Sequence, residues 1–439
     1  MTQVALQTEP KDFYLHEHGI FSALYGSTFP EIREAGINAF RTTGFPGVKH
    51  EEWKYFNLSP ILQARFAIAT PAVVPGITRE MVSRYKVAGR DALVLVFVNG
   101  IFRKDLSDMK ESRVVAGSLL NHDGRKYLGT AGDLNNEPFH ALNNAFFSDG
   151  AFITIPANEN VEMPVHILHL NDSRSQGTVS FPRNLVVAEK NSQAQVIATY
   201  HSLNDSEHSF CNSVTEIFVH ENASLEFDIK QNESVKAFHI GHVYASQQKN
   251  STFNICTVTV GGGLVRNNLA ITHADTGCTS HLNGLTLVGG RQVVDHHTVV
   301  DHAKPNCYSN QLYKSILDGH SHGVFNGKIL VRKDAQKTNA YQSNKTVLLS
   351  DDAVMNTKPQ LEIFADDVKC SHGATTGQLD EDALFYFRAR GIGEQDAKAL
   401  LNFAFASDVI EKINNDSLKS NVLHLLSEKL HAQIEFDLD

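Results

Sequence analysis

Hydrophobic positions change their spacing along the chain and divide it into three zones. In the first, residues 1–150, helical and strand periods are mixed. The run from Pro30 to Phe40 carries Ile32, Ala35, Ala39 and Phe40 at helical spacing and stops at the breakers Gly44-Phe-Pro-Gly47. Ala92-Leu-Val-Leu-Val-Phe-Val98 predicts a buried strand. Asn99-Gly100 then predicts a tight hairpin turn, with Ile101-Phe-Arg103 as the return strand.

From 151 to 375 short β-rich runs follow one another, and no helical stripe of ten residues interrupts them. Val186-Val-Ala-Glu-Lys-Asn-Ser-Gln-Ala-Gln-Val196 aligns without gaps on Ile217-Phe-Val-His-Glu-Asn-Ala-Ser-Leu-Glu-Phe227. Ile153-Thr-Ile-Pro-Ala-Asn158 and Ile329-Leu-Val-Arg-Lys-Asp-Ala335 repeat the same order of strand, then Asx. Asn and Asp enter the left-handed region at low cost and bond their own backbone, so corners are expected near Asn191, Asn222 and Asp334. Strand–turn units without crossover helices fit a β-solenoid or a β-sandwich. The repeat length varies, so the pattern alone leaves both open.

The last zone, 376–439, is helical. Asp380 to Arg390 runs into Gly391, a left-handed stop. Ala397, Leu400, Leu401, Ala404 and Phe405 form a second stripe, and Leu418, Val422, Leu425 and Leu426 a third. Three short helices cannot hide every stripe from water among themselves, so one of these faces should dock elsewhere.

Composition narrows the function classes. The 439 residues leave room for about three domains at roughly 150 residues each. A formal charge of −10 and the lack of any Lys/Arg block argue against nucleic acid. The longest apolar run, Ala92 to Val98, is far short of the ~18 residues that span a bilayer. The first residues lack the basic start and apolar stretch of a signal peptide, so a cytoplasmic location is expected. The five cysteines, Cys211, Cys256, Cys278, Cys307 and Cys370, are scattered singly, which is neither a disulfide framework nor a structural zinc motif.

The run Leu361 to Gly377 holds the most pointed chemistry. Read as one strand, it places Phe364, Asp366, Val368, Cys370 and His372 on one face. Cys370 and His372 then lie about 6.5–7 Å apart, close enough to lean toward one metal. A thiolate with an imidazole suits iron, copper or zinc, but two ligands leave a cluster site incomplete. The alternative is a buried cysteine beside a structural histidine. A second group, Gln292-Val-Val-Asp-His-His-Thr-Val-Val-Asp-His302, lacks the compact spacing of metal hydrolases. Its parity sets Asp295 and His297 on one face and His296 and Thr298 on the other, and exposed polar residues on strands are expected there. Gly323-Val-Phe-Asn-Gly-Lys-Ile329 misses the P-loop, with its glycines too close and Ile329 where Ser or Thr would hold magnesium. ATP hydrolysis is therefore not expected of this chain, nor any other enzymatic activity of its own.

Several motifs occur in a familiar order: Asp295-His-His-Thr-Val-Val-Asp-His302, Ser309-Asn-Gln-Leu-Tyr-Lys314, Phe325-Asn-Gly-Lys-Ile329 and Pro359-Gln-Leu-Glu-Ile363. Ala365-Asp-Asp-Val-Lys-Cys-Ser-His-Gly-Ala-Thr375 and Leu384-Phe-Tyr-Phe-Arg-Ala-Arg-Gly-Ile392 follow them, and Gly47-Val-Lys-His-Glu-Glu-Trp-Lys-Tyr55 precedes them. In this the chain resembles the SufB/SufD family of iron–sulfur cluster assembly proteins, strongly over about 255–410 and more weakly at the N-terminal motif. It is most similar to the SufD branch, because Gly373 stands where SufB tends to have Glu, and the clustered N-terminal cysteines of many SufB proteins are absent. The resemblance implies a mainly β fold: a right-handed parallel β-helix with flanking N-terminal α/β and C-terminal helical regions. It implies a non-ATPase scaffold subunit that pairs with SufB through the β-helix and docks the ATPase SufC on the C-terminal helical region. A nascent Fe–S cluster would form at the SufB interface, with His372 the leading ligand, Cys370 its neighbour, and SufB supplying the rest. Flavin is expected only at the level of the complex, since no flavin motif is present. A SufB-type paralogue is one alternative. A β-helix polysaccharide lyase or hydrolase is another, but it needs paired carboxylates or a Lys/Arg base in a groove, and neither is evident. A subunit in which Cys370 and His372 only pack is also compatible with the sequence.

Overall fold

The computed structural model describes residues 9–430 except 27, 48, 71–75, 125 and 135. The final stretch of the third zone (431–439), and part of the N-terminal stretch read for a targeting signal, lie outside the described residues. Two parallel sheets run the length of the molecule, and the chain passes from one to the other at each corner. The result is a parallel β-solenoid of about eight turns, which decides between solenoid and sandwich. Strands such as Leu264–His273, Val293–His302 and His322–Val331 pair in unbroken register in one sheet. Thr279–Val288, Tyr308–Leu317 and Asn339–Leu348 do so in the other. The strand of the first zone, Leu93–Val98, is wholly buried and extends this second sheet by pairing with Val165–Asn171. It turns back through Asn99 and Gly100, both at positive φ, into the antiparallel Ile101–Phe102.

The corners explain how a varying repeat still stacks. Asn158, Asn191, Asn222, Asn250 and Asn306 all have φ between 57° and 64°, the left-handed conformation that asparagine tolerates. Their amides form a ladder: Asn191 Nδ2 donates to Asn158 Oδ1 at 2.8 Å, and Asn222 Nδ2 to Asn191 Oδ1 at 3.0 Å. The corner at Asp334 differs from expectation, because its left-handed residue is Lys337 (φ 59°). At three corners the residue after the left-handed one is a small hydroxyl side chain that bonds back three residues. Ser192 Oγ donates to the Glu189 carbonyl and Ser251 Oγ to that of Gln248, each at 2.6 Å.

Helices cover the outer faces. Tyr14, Phe21, Ile37, Phe40, Trp53 and Phe139 pack with Phe210, Phe238 and Ile240 of the first sheet. The helix Pro30–Thr43 buries Arg33, Gly36, Ile37 and Phe40, so of the expected stripe only Phe40 is core and Ala35 is exposed. Gly36 permits the closest approach, since a Cβ there would meet the Ala141 carbonyl at 2.7 Å. Arg33 is buried because it donates to the Phe147 carbonyl at 2.9 Å. At the other end, Glu394–Ile410 and Asp416–Lys429 cover the second sheet. Phe403, Val409, Ile410, Leu418, Val422 and Leu426 pack there with Val258, Leu285, Leu287 and Ile316. Each such buried side chain contributes about 1.5–3 kcal/mol. The surplus apolar stripe is thus absorbed by the solenoid itself, and Leu400, Leu401 and Phe405 are half-buried rather than core. Among the described residues no helix is long and apolar enough to cross a membrane.

Candidate functional site

The solenoid ends on the strands Val354–Ile363 and Lys369–Gly377, which no helix covers. Residues 364–368 form a corner rather than a strand, so Phe364, Asp366 and Val368 do not share the face of Cys370 and His372 as expected. Cys370 and His372 do share one. Their register partners are Ala340 and Gln342, both buried toward the solenoid interior, so the pair continues two inward-facing columns to the open end. Cys370 packs on Ile329, Val331, Ala335 and Ala340, and burial raises its thiol above the ordinary range. His372 is exposed. No group of three metal-ligating side chains is assembled among the described residues. A neutral imidazole ligates without losing a proton, whereas a raised thiol resists becoming the thiolate a metal needs.

Among the described residues the strand Lys369–Gly377 pairs only with Asn339–Leu348, which leaves its other edge bare. In the same last turn of the solenoid Phe364 is 63% exposed and Val354 48%. A long exposed edge flanked by apolar side chains is a template for pairing with another chain.

The group Gln292–His302 overturns the expectation of exposed polar residues. Asp295, His296, Thr298 and His302 are all buried. Asp295 accepts from Arg266 Nη1 at 2.8 Å, and Arg266 lies 3.9 Å from the Trp53 ring centroid and donates to the Glu52 carbonyl at 2.7 Å. His297 bridges Asp295 at 3.0 Å and Glu52 at 3.4 Å, while Lys358 pairs with Glu51 at 2.7 Å. The N-terminal motif around Trp53 is thus latched onto the outer face of the solenoid. Burial pushes the Asp295 carboxyl up, but His297 and Arg266 outweigh it and hold it below its usual range. The hydrogen bond from His297 likewise lowers Glu52. These groups satisfy one another, which makes the cluster a structural latch rather than an open metal site. Arg266 was not singled out from the sequence, although an Arg within an apolar strand was a usable signal.

Inside the solenoid, His296 Nε2 lies 3.0 Å from Thr286 Oγ1, and Thr298 Oγ1 donates to Gln311 Oε1 at 2.8 Å. An internal cavity of about 20 Å³, lined by Tyr200, Ser213, His239, His296 and Tyr313, has room for about one water. The run Gly323–Ile329 lies within the strand His322–Val331, so its glycines serve strand packing rather than a phosphate loop. A larger groove of about 720 Å³ separates the last turns from the helix Glu381–Ala389, and Leu349, Leu384, Phe385 and Leu430 line it. That helix buries none of its residues, and Phe385 is 72% exposed.

Comparison with known proteins agrees along nearly the whole chain. Residues 169–405 match the family model "SUF system FeS cluster assembly, SufBD core domain", and residues 6–167 match "SufBD protein N-terminal region". An iron–sulfur cluster assembly SufBD family protein of Synechocystis sp. is 34% identical over 444 residues, covering 97% of each chain. The iron–sulfur cluster assembly protein SufD of Escherichia coli is 30% identical over 416 residues, covering 94% of this chain and 96% of its own. A SufBD family protein of Mycobacterium tuberculosis is 28% identical over 301 residues, covering 67% and 72%.

Proposed function

The chain belongs to the SufBD family of iron–sulfur cluster assembly proteins, and from that premise we propose that it is a non-enzymatic subunit of the Suf scaffold complex. Its part in iron–sulfur cluster assembly follows from the family; the division of labour that follows is our reading. The chain pairs with SufB through the bare edge of Lys369–Gly377, and the nascent cluster is the cargo formed at that interface. His372 supplies one ligand from this side, Cys370 supports it, and SufB provides the others. The ATPase SufC docks on the helix Glu381–Ala389 and its groove, so that ATP hydrolysis belongs to SufC.

One observation carries the reading. Cys370 and His372 stand in the interior-facing register of the terminal strand, where the solenoid is open and its edge unpaired. A half-site at an open edge is what a shared site between two chains requires. The test is co-expression of the tagged chain with SufB and SufC, followed by anaerobic purification and iron and sulfide analysis. A stable complex that carries iron and acid-labile sulfide is expected, together with no ATPase activity in the tagged chain alone. Recovery of the tagged chain free of both partners at native expression levels would overturn the reading.

A further inference from the structure

Two successive corners carry cysteine where three others carry Ser or Thr. Cys278 and Cys307 occupy the position that Ser192, Ser251 and Thr338 fill elsewhere, directly after the left-handed residues Gly277 and Asn306. The residues that follow them, Thr279 and Tyr308, are register partners. The two Cα atoms therefore stand about one strand spacing apart, ~4.8 Å. A disulfide spans Cα separations of roughly 4.4–6.8 Å. Both thiols also reach one acceptor: Cys278 Sγ is 3.1 Å and Cys307 Sγ 3.4 Å from the Asp275 carbonyl oxygen.

Two imidazoles complete the setting. His273 and His302 face each other with Nδ1 atoms 3.1 Å apart. Their Nε2 atoms are held by Ser280 Oγ at 2.7 Å and Ser309 Oγ at 2.9 Å. The hydrogen bond with Cys278, joined by those with His273 and His302, lowers the Cys307 thiol below its ordinary range. The same contact with Cys307 raises the Cys278 thiol. The two thiols share one carbonyl acceptor, so one keeps its proton on that oxygen while its neighbour can lose one, and the deprotonated sulfur is the nucleophile of thiol oxidation. The other cysteines, Cys211, Cys256 and Cys370, are free and sit in other turns.

We propose that Cys278 and Cys307 form a redox-active dithiol, which peroxide converts into a disulfide joining two successive turns of the solenoid. The Cys307 thiolate attacks one peroxide oxygen, the O–O bond breaks, and hydroxide leaves Cys307 as a sulfenic acid. Cys278 then attacks that sulfur, its proton passing to the departing oxygen. The S–S bond forms, the S–O bond breaks and water leaves. In sum two thiols are oxidised and one hydrogen peroxide is reduced to two waters. Both side chains are covered, so the oxidant enters by local opening of the corner, and its small size matters. The site lies in different turns from His372 and stands independently of the cluster reading.

The experiment uses the full-length reduced chain. It is exposed to hydrogen peroxide, quenched with catalase, denatured, alkylated and analysed by intact mass and peptide mapping. The expected product has lost two hydrogen atoms, carries one crosslinked peptide pair containing Cys278 and Cys307, and reverts with dithiothreitol. Cys278→Ser and Cys307→Ser should each abolish the crosslink. Serine is the fold's own choice at Ser192 and Ser251, and circular dichroism of each variant reports whether the solenoid persists. The wild-type result does not depend on either variant. Full alkylation of both residues at a peroxide dose that oxidises Cys370 would overturn the proposal. So would irreversible oxidation of Cys307 with Cys278 left free in the folded chain.

Discussion

His372 and His302 are both histidines on solenoid strands, yet their surroundings assign them opposite consequences. His372 is exposed at an open end, so replacing it by alanine removes the side chain proposed as a ligand and almost no packing. His372→Ala should assemble with its partners normally and lose cluster content on the order of ten-fold or more, read as iron and sulfide per complex. Full cluster content in a normally assembled variant would make the residue a bystander. His302 is fully buried, and its Nε2 is bound to Ser309 Oγ. His302→Ala leaves that hydroxyl and His273 unsatisfied and should lower stability by about 1–3 kcal/mol in urea unfolding, with cluster content per assembled complex unchanged. The shared face of Cys370 and His372 was legible from the period-two rule. The exclusion of Asp366 from that face was missed, although Asp366-Asp367 is itself the Asx signal that marks corners elsewhere in the chain. The buried Asp295–His297–Arg266 latch was hidden for another reason: charged residues on a strand read as exposed until the segment that covers them, Glu51–Trp53, is known.

The C-terminal helices were legible as helices but not in their docking. Asp380 caps Glu381–Ala389 by accepting from the amides of Asp382 and Ala383, and Gly391 stands at φ 84° just beyond, as the sequence implies. Which faces are buried depends on the solenoid surface beneath, and no period in the helices encodes that. Removing everything after 380 would therefore strip Phe403, Val409 and Leu418 from the second sheet and confuse lost binding with lost stability. The double substitution Phe385→Asp and Tyr386→Asp acts on exposed residues alone. It should abolish SufC binding, measured by calorimetry, while pairing with SufB and the thermal midpoint stay unchanged; unaltered SufC affinity would place the ATPase elsewhere. Under the neighbouring helix Asp416–Lys429, Lys230 is buried and donates to Asn421 Oδ1, and burial lowers its ammonium to about 7. An unfolded lysine keeps its proton to about pH 10.4, so between about 7 and 10 the unfolded state holds more protons and stability rises with pH. The wild type should gain up to a few kcal/mol over Lys230→Met across that window, since each tenfold difference in proton affinity between the two states is worth about 1.4 kcal/mol. Parallel stability–pH curves for the two proteins would show that Lys230 keeps its charge in the fold.

At the scale of the whole molecule the two ends of the solenoid are treated differently. The first turns are sheathed by aromatic side chains, whereas the last turn ends on a largely exposed strand with an unpaired edge. Repeat architectures need their ends capped, because an uncovered turn leaves apolar surface and backbone groups without partners. A chain that covered this end, SufB in the reading proposed above, would meet a defined docking line. In the terminal strand the Lys369 amide donates inward to the Thr338 carbonyl at 2.9 Å. Parallel ladders alternate, so the amides of Cys370, His372, Ala374 and Thr376 point to the bare edge. Ala374→Pro deletes one outward donor and sets a ring on the edge without removing a hydrogen bond of the fold, and proline is tolerated at such edge positions. The variant should keep the thermal midpoint of the isolated chain. Its affinity for SufB should fall on the order of ten-fold or more, because a lost strand-addition bond and a blocked approach together exceed about 1.4 kcal/mol. Equal SufB affinity in Ala374→Pro and the parent would mean that the two chains meet on another face, and the half-site at His372 would then have to be completed across a gap rather than along a shared strand.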